Sequence, residues 1–155
     1  MTTAASNGKA VTTKKTFSRE TAVSIDIQAD KSIIWTLLTN ANDFPRWNST
    51  VISLEGAIAK GEKIKLRAKL DPKREFKLSV KEFDPESKLV WGDAMGNRVY
   101  TWKSIGNSLT NFSMVEKIGG PLFPFFAKMI PPFDQAFEQY AKDIKNEAET
   151  ISKTK

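Results

Sequence analysis

The side chains best suited to chemistry in this sequence are an arginine, a tyrosine and a glutamate on two predicted neighbouring strands. Arg98 and Tyr100 alternate along "NRVYTWKSI" (97–105), and Glu116 lies near the end of "SLTNFSMVEKI" (108–118). Because strand side chains alternate between faces, the parity places all three with the apolar residues of their strands. A guanidinium, a hydroxyl and a carboxylate in an apolar interior can polarise a carbonyl and transfer a proton. We treat these three residues as the catalytic candidates. The alternative is a strand end or bulge that turns both charges to solvent.

Missing residue types narrow that chemistry further. The 155 residues contain neither histidine nor cysteine. Disulfides, thiolate catalysis, zinc sites of the Cys/His type and all histidine-based triads are therefore excluded. Acidic residues do not cluster in any predicted site, so we expect no metal and no cofactor. An enzymatic function is the less favoured interpretation.

The positive charge is concentrated at the start of the chain. The net charge is +6, but 20 basic residues face 18 acidic ones once four that precede Glu20 are set aside: Lys9, Lys14, Lys15 and Arg19. We expect residues 1–19 to form a flexible basic tail and residues 20–152 to form one domain, and we expect deletion of residues 1–17 to leave the fold and melting temperature nearly unchanged. This distribution argues against nucleic-acid binding.

Periodicity predicts an α+β chain. A first alternating strand (21–28) is followed by a helical pattern in "ADKSIIWTLLTNANDF" and then by strands with no helix between them. Those six strands are predicted at 50–56, 62–70, 75–83, 88–93, 97–105 and 108–118. The sequence 133–151 has one continuous apolar stripe and predicts a long final helix.

The octapeptide "FPRWNSTV" (44–51) joins the first helix to the second strand. Pro45 restricts Phe44 to an extended conformation, which would direct Phe44 and Trp47 toward a cavity under the final helix. The alternative is that Trp47 fills the core without touching any ligand.

Two stretches resemble a known family. "IDIQADKSIIWTLLTNANDFPRWNSTVISLEG" resembles the opening of the SRPBCC (START-like) polyketide cyclase/dehydrase and lipid-transport proteins, with their "vWxxLtdf" helix and "yPxWnp" string. "VKEFDPESKLVWGD" resembles a later strand-turn-strand of the same family, and the likeness covers about residues 20–150. It implies a helix-grip fold: a curved seven-stranded antiparallel sheet wrapped around the C-terminal helix, with one or two short helices after strand 1. Many relatives carry a histidine in the strand that matches 97–105, and this chain has none.

The family fold also implies a largely apolar cavity between the sheet and the last helix. Strand parity and the apolar segment 119–133 select its predicted ligand-binding residues: Phe44, Trp47, Leu66, Ala68, Phe76, Leu78, Trp91, Tyr100, Trp102, Phe112, Met114, Phe126, Met129, Phe133 and Phe137. The segment 119–133 is predicted to be a gate over the cavity, static core filler, or a site of transient membrane contact.

Three functions remain open at this point. The leading hypothesis is binding or transport of a hydrophobic small molecule such as a lipid, isoprenoid or polyketide. The second is an aromatase/cyclase-type enzyme that uses Tyr100, Arg98 and Glu116. The third is a protein-interaction module with a filled cavity. We further expect a cytoplasmic monomer, because the sequence has neither a signal-like nor a membrane-spanning apolar stretch.

Overall fold

The computed structural model describes residues 7–154, which fold into one antiparallel sheet and four α-helices. The sheet has eight strands in the order β1-β2-β8-β7-β6-β5-β4-β3, with every neighbouring pair antiparallel. The strands are β1 Val11–Lys14, β2 Ser18–Ile27, β3 Val51–Glu55, β4 Lys63–Ala68, β5 Phe76–Asp84, β6 Lys88–Gly92, β7 Gly96–Gly106 and β8 Leu109–Gly119. The α+β class and the antiparallel sheet predicted from the sequence are confirmed.

The predicted count of seven strands is wrong by one. The extra strand is β1, which lies inside the segment expected to be a flexible tail and pairs with β2 from Val11↔Ala22 to Lys14↔Arg19. Its attachment is polar: Thr12 donates a hydrogen bond to Asp134 and shares one with Thr21. An alternation of apolar residues is not needed for such a strand, so the hydrophobic pattern missed it. Residues 1–6 of the expected tail lie outside the described residues.

The helices lie between β2 and β3 in the chain and after β8. They are α1 Lys31–Thr39, α2 Phe44–Trp47, α3 Phe123–Phe126 and α4 Asp134–Lys153, with 3-10 turns at Ala41–Asp43 and Ala127–Met129. Helix α4 begins only after Pro131 and Pro132, because a proline inside a helix lacks the N–H donor and clashes with the preceding turn. The apolar stripe of α4 is buried at Phe137, Tyr140, Ala141, Ile144 and Ala148. Within residues 7–154, no helix is both long and apolar enough to cross a membrane.

The conformation of Phe44 differs from the prediction. Phe44 is helical (φ −50°, ψ −48°) rather than extended, although proline follows it. Pro45 occupies the first turn of α2, where its missing N–H leaves no hydrogen bond unmade. The helical turn places Phe44 and Trp47 on one side, and both rings are buried with centroids 5.0 Å apart. The gain from burying two aromatic rings outweighs the local preference of the residue before proline.

Candidate functional site

Two adjoining clefts open between the sheet and the first turns of α4. The one we call the sheet cleft has a volume of about 190 Å³, and the one we call the helix cleft about 560 Å³. Both are bounded by Leu66, Ala68, Leu70 and Arg98. The larger of the two falls within the range of about 300–1,000 Å³ that small-molecule sites occupy.

The sheet cleft lies over β4, β5 and the turn between β6 and β7. Its apolar wall comes from Phe76, Leu78, Trp91, Ile118 and Phe133. Polar groups at its edge are Asp71, Arg74, Asp93, Asn97, Arg98 and Glu116. The strand alternation of β4 and β5 turns the apolar members inward while the intervening lysines face solvent.

The helix cleft follows the N-terminal half of α4. It is bounded by the chain segment 49–51, by the end of β4 and by helix residues from Gln135 to Lys142. Phe137 lies in its wall and stacks on Phe133, with ring centroids 5.9 Å apart and an interplanar angle of 5°. The two phenyl rings are one helical turn apart, so the helix start fixes them between the two clefts.

An ion pair lies where the two clefts meet. Arg98 and Glu116 are direct cross-strand partners on β7 and β8, and Arg98 Nε donates to Glu116 Oε1 at 2.6 Å. Their side chains are only 16% and 17% exposed. The pairing compensates for their removal from water, which would otherwise be costly for either charge alone. Of the two alternatives left open by the sequence, the structure has both charges facing inward and paired.

Two tyrosine hydroxyls lie beside this pair. The Tyr140 hydroxyl on α4 donates to the Tyr100 hydroxyl oxygen on β7 at 2.9 Å, and both residues are buried. The Arg98 guanidinium lies over the rings of Phe137 and Tyr140, at 5.0 Å and 5.9 Å from the centroids. Arg98, Glu116, Tyr100 and Tyr140 therefore form one cluster, which we call the polar cluster.

Burial and charge set the protonation states of the polar cluster. Burial raises the pKa of Tyr100, an effect that the neighbouring Arg98 charge only partly offsets. Burial raises the pKa of Tyr140 well above its usual value. Burial alone would lower the pKa of Arg98, but the attraction of Glu116 and the tyrosines outweighs it and the pKa is raised. At neutral pH both phenols are protonated and Arg98 is charged, so the polar cluster can donate hydrogen bonds and polarise a carbonyl.

Eight of the predicted ligand-binding residues lie on cleft walls: Leu66, Ala68, Phe76, Leu78, Trp91, Met129, Phe133 and Phe137. Seven others line neither of the two clefts: Phe44, Trp47, Tyr100, Trp102, Phe112, Met114 and Phe126. All but Phe126 are buried, because the helices cover this part of the inward face and leave no space beside it. Strand parity predicts which residues point to the inward face of the sheet. It does not predict which part of that face the helices cover and which part stays open as a cleft.

Several of the aromatic residues that line neither cleft are held by contacts of their own. Trp102 donates its indole N–H to the Lys31 carbonyl at 3.1 Å and packs against Trp35. Trp47 packs edge-on against Tyr140, with centroids 6.1 Å apart. Phe126 packs on Phe123 within the segment 119–133. These rings line neither cleft, and their contacts help to hold the surrounding residues in place.

Tyr140 belongs to the polar cluster and borders the helix cleft, but the sequence did not mark it as a candidate site residue. It was included in the apolar stripe of the last helix, and its hydroxyl partner lies 40 residues earlier in the chain. A polar tip on an apolar helix face was the available signal. The residues Asp71, Arg74, Asp93 and Met95, in turns at the edge of the sheet cleft, were also missed.

The segment 119–133 closes one side of the sheet cleft. Met129, Ile130, Pro131 and Phe133 line the cleft. The buried Arg19 of β2 donates to the carbonyls of Ile130 and Pro131 at 3.2 and 2.8 Å. At the other end Gly120, with φ at 141°, donates its N–H to the Phe17 carbonyl. The segment is thus tied to the β1–β2 hairpin at both ends, while Leu122, Phe125 and Met129 remain exposed between the ties.

Similar folds occur among solved structures. A START superfamily protein from Mycobacterium smegmatis superposes with a TM-score of 0.63 at 13% identity, covering 85% of this chain and 98% of that one. A norcoclaurine synthase point mutant from Thalictrum flavum, in complex with a transition-state analogue, gives 0.65 at 13% identity, covering 90% and 99%. The di-domain ARO/CYC StfQ of the steffimycin biosynthetic pathway gives 0.62 at 10% identity, covering 85% of this chain and 45% of that one.

No family model and no curated protein matches the sequence. Identities of 10–14% establish likeness of fold and leave function to be argued from the site. The three structures share the sheet-and-helix architecture that the motifs predicted. The chain therefore has the SRPBCC-type, START-like helix-grip fold.

Proposed function

We propose that this protein binds or transports a hydrophobic small molecule in the clefts between its sheet and the start of α4. The observation that supports this most directly is the pair of adjoining clefts, which share a wall of Leu66, Ala68 and Leu70. Sites for small molecules are concave, mostly apolar and equipped with a few polar groups that orient the ligand. Lipids, isoprenoids and polyketide-like compounds are the ligand classes that fit such walls.

Mass spectrometry of the purified native protein is the first experiment. We expect an apolar compound to co-purify and to be released on denaturation. Titration with N-phenyl-1-naphthylamine, an uncharged apolar dye, provides a second readout, and we expect its emission to rise as it leaves water. The absence of both a co-purifying compound and dye binding would contradict the proposal.

A matched pair of variants locates the binding. Ala68 lines both clefts, so Ala68→Phe places a ring in the shared space and should abolish dye binding. Lys65 lies on the same strand and is exposed, so Lys65→Phe adds the same ring on the opposite face and should leave dye binding unchanged. Equal loss in both variants, or in neither, would mean that the dye binds elsewhere.

The second candidate function is an aromatase/cyclase-type enzyme, and the polar cluster favours it. Arg98 can polarise a carbonyl, and the protonated Tyr100 and Tyr140 can act as acids but not as bases at neutral pH. Tyr100→Phe separates the two functions, since a carrier should keep its affinity within about tenfold. A cyclase should lose turnover of a poly-β-ketone substrate, measured by product chromatography.

A protein-interaction module with a filled cavity is the weakest alternative. Open clefts of about 190 and 560 Å³ argue against a filled interior. A monomeric state and a cytoplasmic location remain predictions.

We further propose transient membrane contact through the segment 119–133. Leu122, Phe125 and Met129 are 64%, 81% and 79% exposed, and Met129 also lines the sheet cleft. A ligand could then pass between bilayer and cleft past apolar side chains.

Sedimentation with vesicles of phosphatidylcholine and phosphatidylglycerol measures this contact. Phe125→Ser and Met129→Ser should reduce binding. Ile105→Ser, which alters an exposed apolar residue near the β7–β8 turn, should leave it unchanged. Binding that is insensitive to Phe125 and Met129 would rule the contact out.

A further inference from the structure

Some hydrogen-bond donors in and beside the polar cluster have no acceptor among the described residues. Two tyrosine hydroxyls carry two protons, and the bond between Tyr140 and Tyr100 uses one of them. Among residues 7–154, no acceptor takes the second hydroxyl proton, and Arg98 donates to Glu116 through Nε. The nearby Trp47 indole N–H, which is buried beside Tyr140, also has no acceptor within that range. The buried region around Tyr100, Tyr140 and Trp47 therefore has donors without a hydrogen-bond acceptor among residues 7–154.

The charges of the polar cluster already balance. Arg98 and Glu116 pair at 2.6 Å, so a carboxylate brought to Arg98 would also meet the Glu116 carboxylate. At the edge of the sheet cleft, Asp71 and Asp93 outnumber Arg74. The cluster is therefore expected to favour an uncharged acceptor over an anion.

The aromatic residues that line the two clefts near the polar cluster indicate the shape of the proposed ligand. Phe76, Trp91 and Phe133 border the sheet cleft, and Phe137 borders the helix cleft. Flat aromatic faces pack well against a flat ring system, in offset-stacked or edge-on arrangements.

We propose that the ligand is an uncharged ring compound with a carbonyl oxygen, such as an aryl ketone or quinone, and that Arg98 and Tyr140 bind that oxygen. This inference rests on the binding function proposed above and specifies its ligand class. Arg98 borders both clefts and Tyr140 borders the helix cleft, so one oxygen near their junction can accept from both. Tyr140 now donates its single proton to Tyr100, so binding requires that bond to reverse: Tyr100 donates to the Tyr140 oxygen, and the Tyr140 proton turns to the ligand.

Three probes of matched size test the proposal by calorimetry or by quenching of tryptophan emission. 2-Acetylnaphthalene has the carbonyl, 2-ethylnaphthalene lacks it, and 2-naphthoate carries a negative charge. We expect the ketone to bind at least about tenfold more tightly than the hydrocarbon, since only the ketone oxygen can accept hydrogen bonds from Arg98 and Tyr140. We expect the carboxylate to bind more weakly than the ketone.

Two variants connect that preference with named residues. Tyr140→Phe should remove most of the ketone's advantage while leaving the affinity for 2-ethylnaphthalene unchanged. Glu116→Gln leaves the Arg98 charge uncompensated and should reverse the order of ketone and carboxylate. Glu82→Gln is the matched control, because Glu82 is exposed, pairs with Lys88 and lies outside both clefts; it should preserve the wild-type order.

The outcomes separate this inference from the proposed function. Binding of the hydrocarbon and the ketone with equal affinity would keep the cleft as a site and overturn the carbonyl assignment. Tightest binding of 2-naphthoate to the wild-type protein would overturn the charge argument. Failure of all three probes to bind, together with failure of N-phenyl-1-naphthylamine, would overturn the binding function and this inference together.

Discussion

The two halves of α4 face the same sheet, yet one half is closed and the other is open. In the C-terminal half the inward residues Ala141, Ile144 and Ala148 are fully buried, and α1 packs against the helix. In the N-terminal half the inward residues are Phe137 and Tyr140, and clefts open beside them. Small side chains permit close approach of a helix, whereas large rings hold it away from its neighbours. The comparison indicates that side-chain size, more than hydrophobicity, separates the packed core from the open clefts here.

The largest expected effect comes from breaking the closed half. Phe112 on β8 is fully buried on the part of the inward face that borders neither cleft, so Phe112→Ala should reduce the free energy of unfolding by about 3–5 kcal/mol. Phe125→Ala at the open end should change it by less than about 0.5 kcal/mol, because Phe125 is mostly exposed. Urea denaturation measures both. Similar losses in the two variants would contradict the division into closed and open regions.

Breaking the ion pair between the clefts should have the next largest effect. Arg98→Met leaves Glu116 half-buried without a partner and should cost about 2–3 kcal/mol, somewhat less than for a fully buried pair. The double variant Arg98→Met/Glu116→Met should recover part of that loss, because no unpaired charge remains. A double-mutant cycle from thermal unfolding gives the coupling. A coupling near zero would show that solvent screens the pair completely.

The strand β1 attaches the open end of α4 to the sheet. Deleting residues 1–14 removes the bonds from Ala10 to Glu138 and from Thr12 to Asp134, with an expected loss of roughly 2–3 kcal/mol. The sequence alone predicted the opposite result, that the tail can be deleted with little effect. Thr12→Val should reproduce part of the loss, and Thr13→Val, on the exposed face of β1, should have almost no effect. An unchanged melting temperature after the deletion would restore the original expectation.

Arg19 holds the segment 119–133 over the sheet cleft. Arg19→Ala removes both bonds to the Ile130 and Pro131 carbonyls and should cost roughly 1–2 kcal/mol. We expect faster cleavage by chymotrypsin in this segment, which contains exposed Phe125. Lys103→Ala removes an exposed positive charge on β7 and is the control for loss of charge alone. Equal cleavage of the two variants would mean that Arg19 does not restrain the segment.

The smallest expected effect on stability comes from the tyrosine pair, Tyr100 and Tyr140, because it arises only at alkaline pH. Burial raises the pKa of both phenols in the folded state, whereas tyrosine in the unfolded chain ionises near pH 10. Their contribution to stability is therefore fully present below about pH 10 and is lost as the pH rises through the folded pKa values. Urea midpoints at pH 9 and pH 11 measure the loss. The double variant Tyr100→Phe/Tyr140→Phe should show a shallower decline, and an identical slope would assign the loss to other groups.

Much of the fold was predictable because the responsible patterns are local. Alternation in 97–105 and 108–118 predicted β7 and β8, and it placed Arg98 and Glu116 on the inward face. Their direct pairing depends on the register of the β7–β8 hairpin, which shifts between Ser104 and Gly106, and parity alone does not give that register. The hydroxyl contact between Tyr100 and Tyr140 depends on how far α4 lies along the sheet, which is a long-range property of the packing.

The pairing of β2 with β8 has a consequence for how the protein acquires its structure. Ten residue pairs from Ser18↔Gly119 to Ile27↔Thr110 join segments that are far apart in the chain, whereas β3 to β8 form a succession of neighbouring hairpins. Closing so large a loop costs entropy before its contacts form, so rates of folding fall as such pairings become more numerous. During synthesis, β2 must wait with an unpaired edge until β8 has left the ribosome. We therefore expect slow, late docking of the N-terminal hairpin, and sensitivity of the nascent chain to aggregation through that exposed strand.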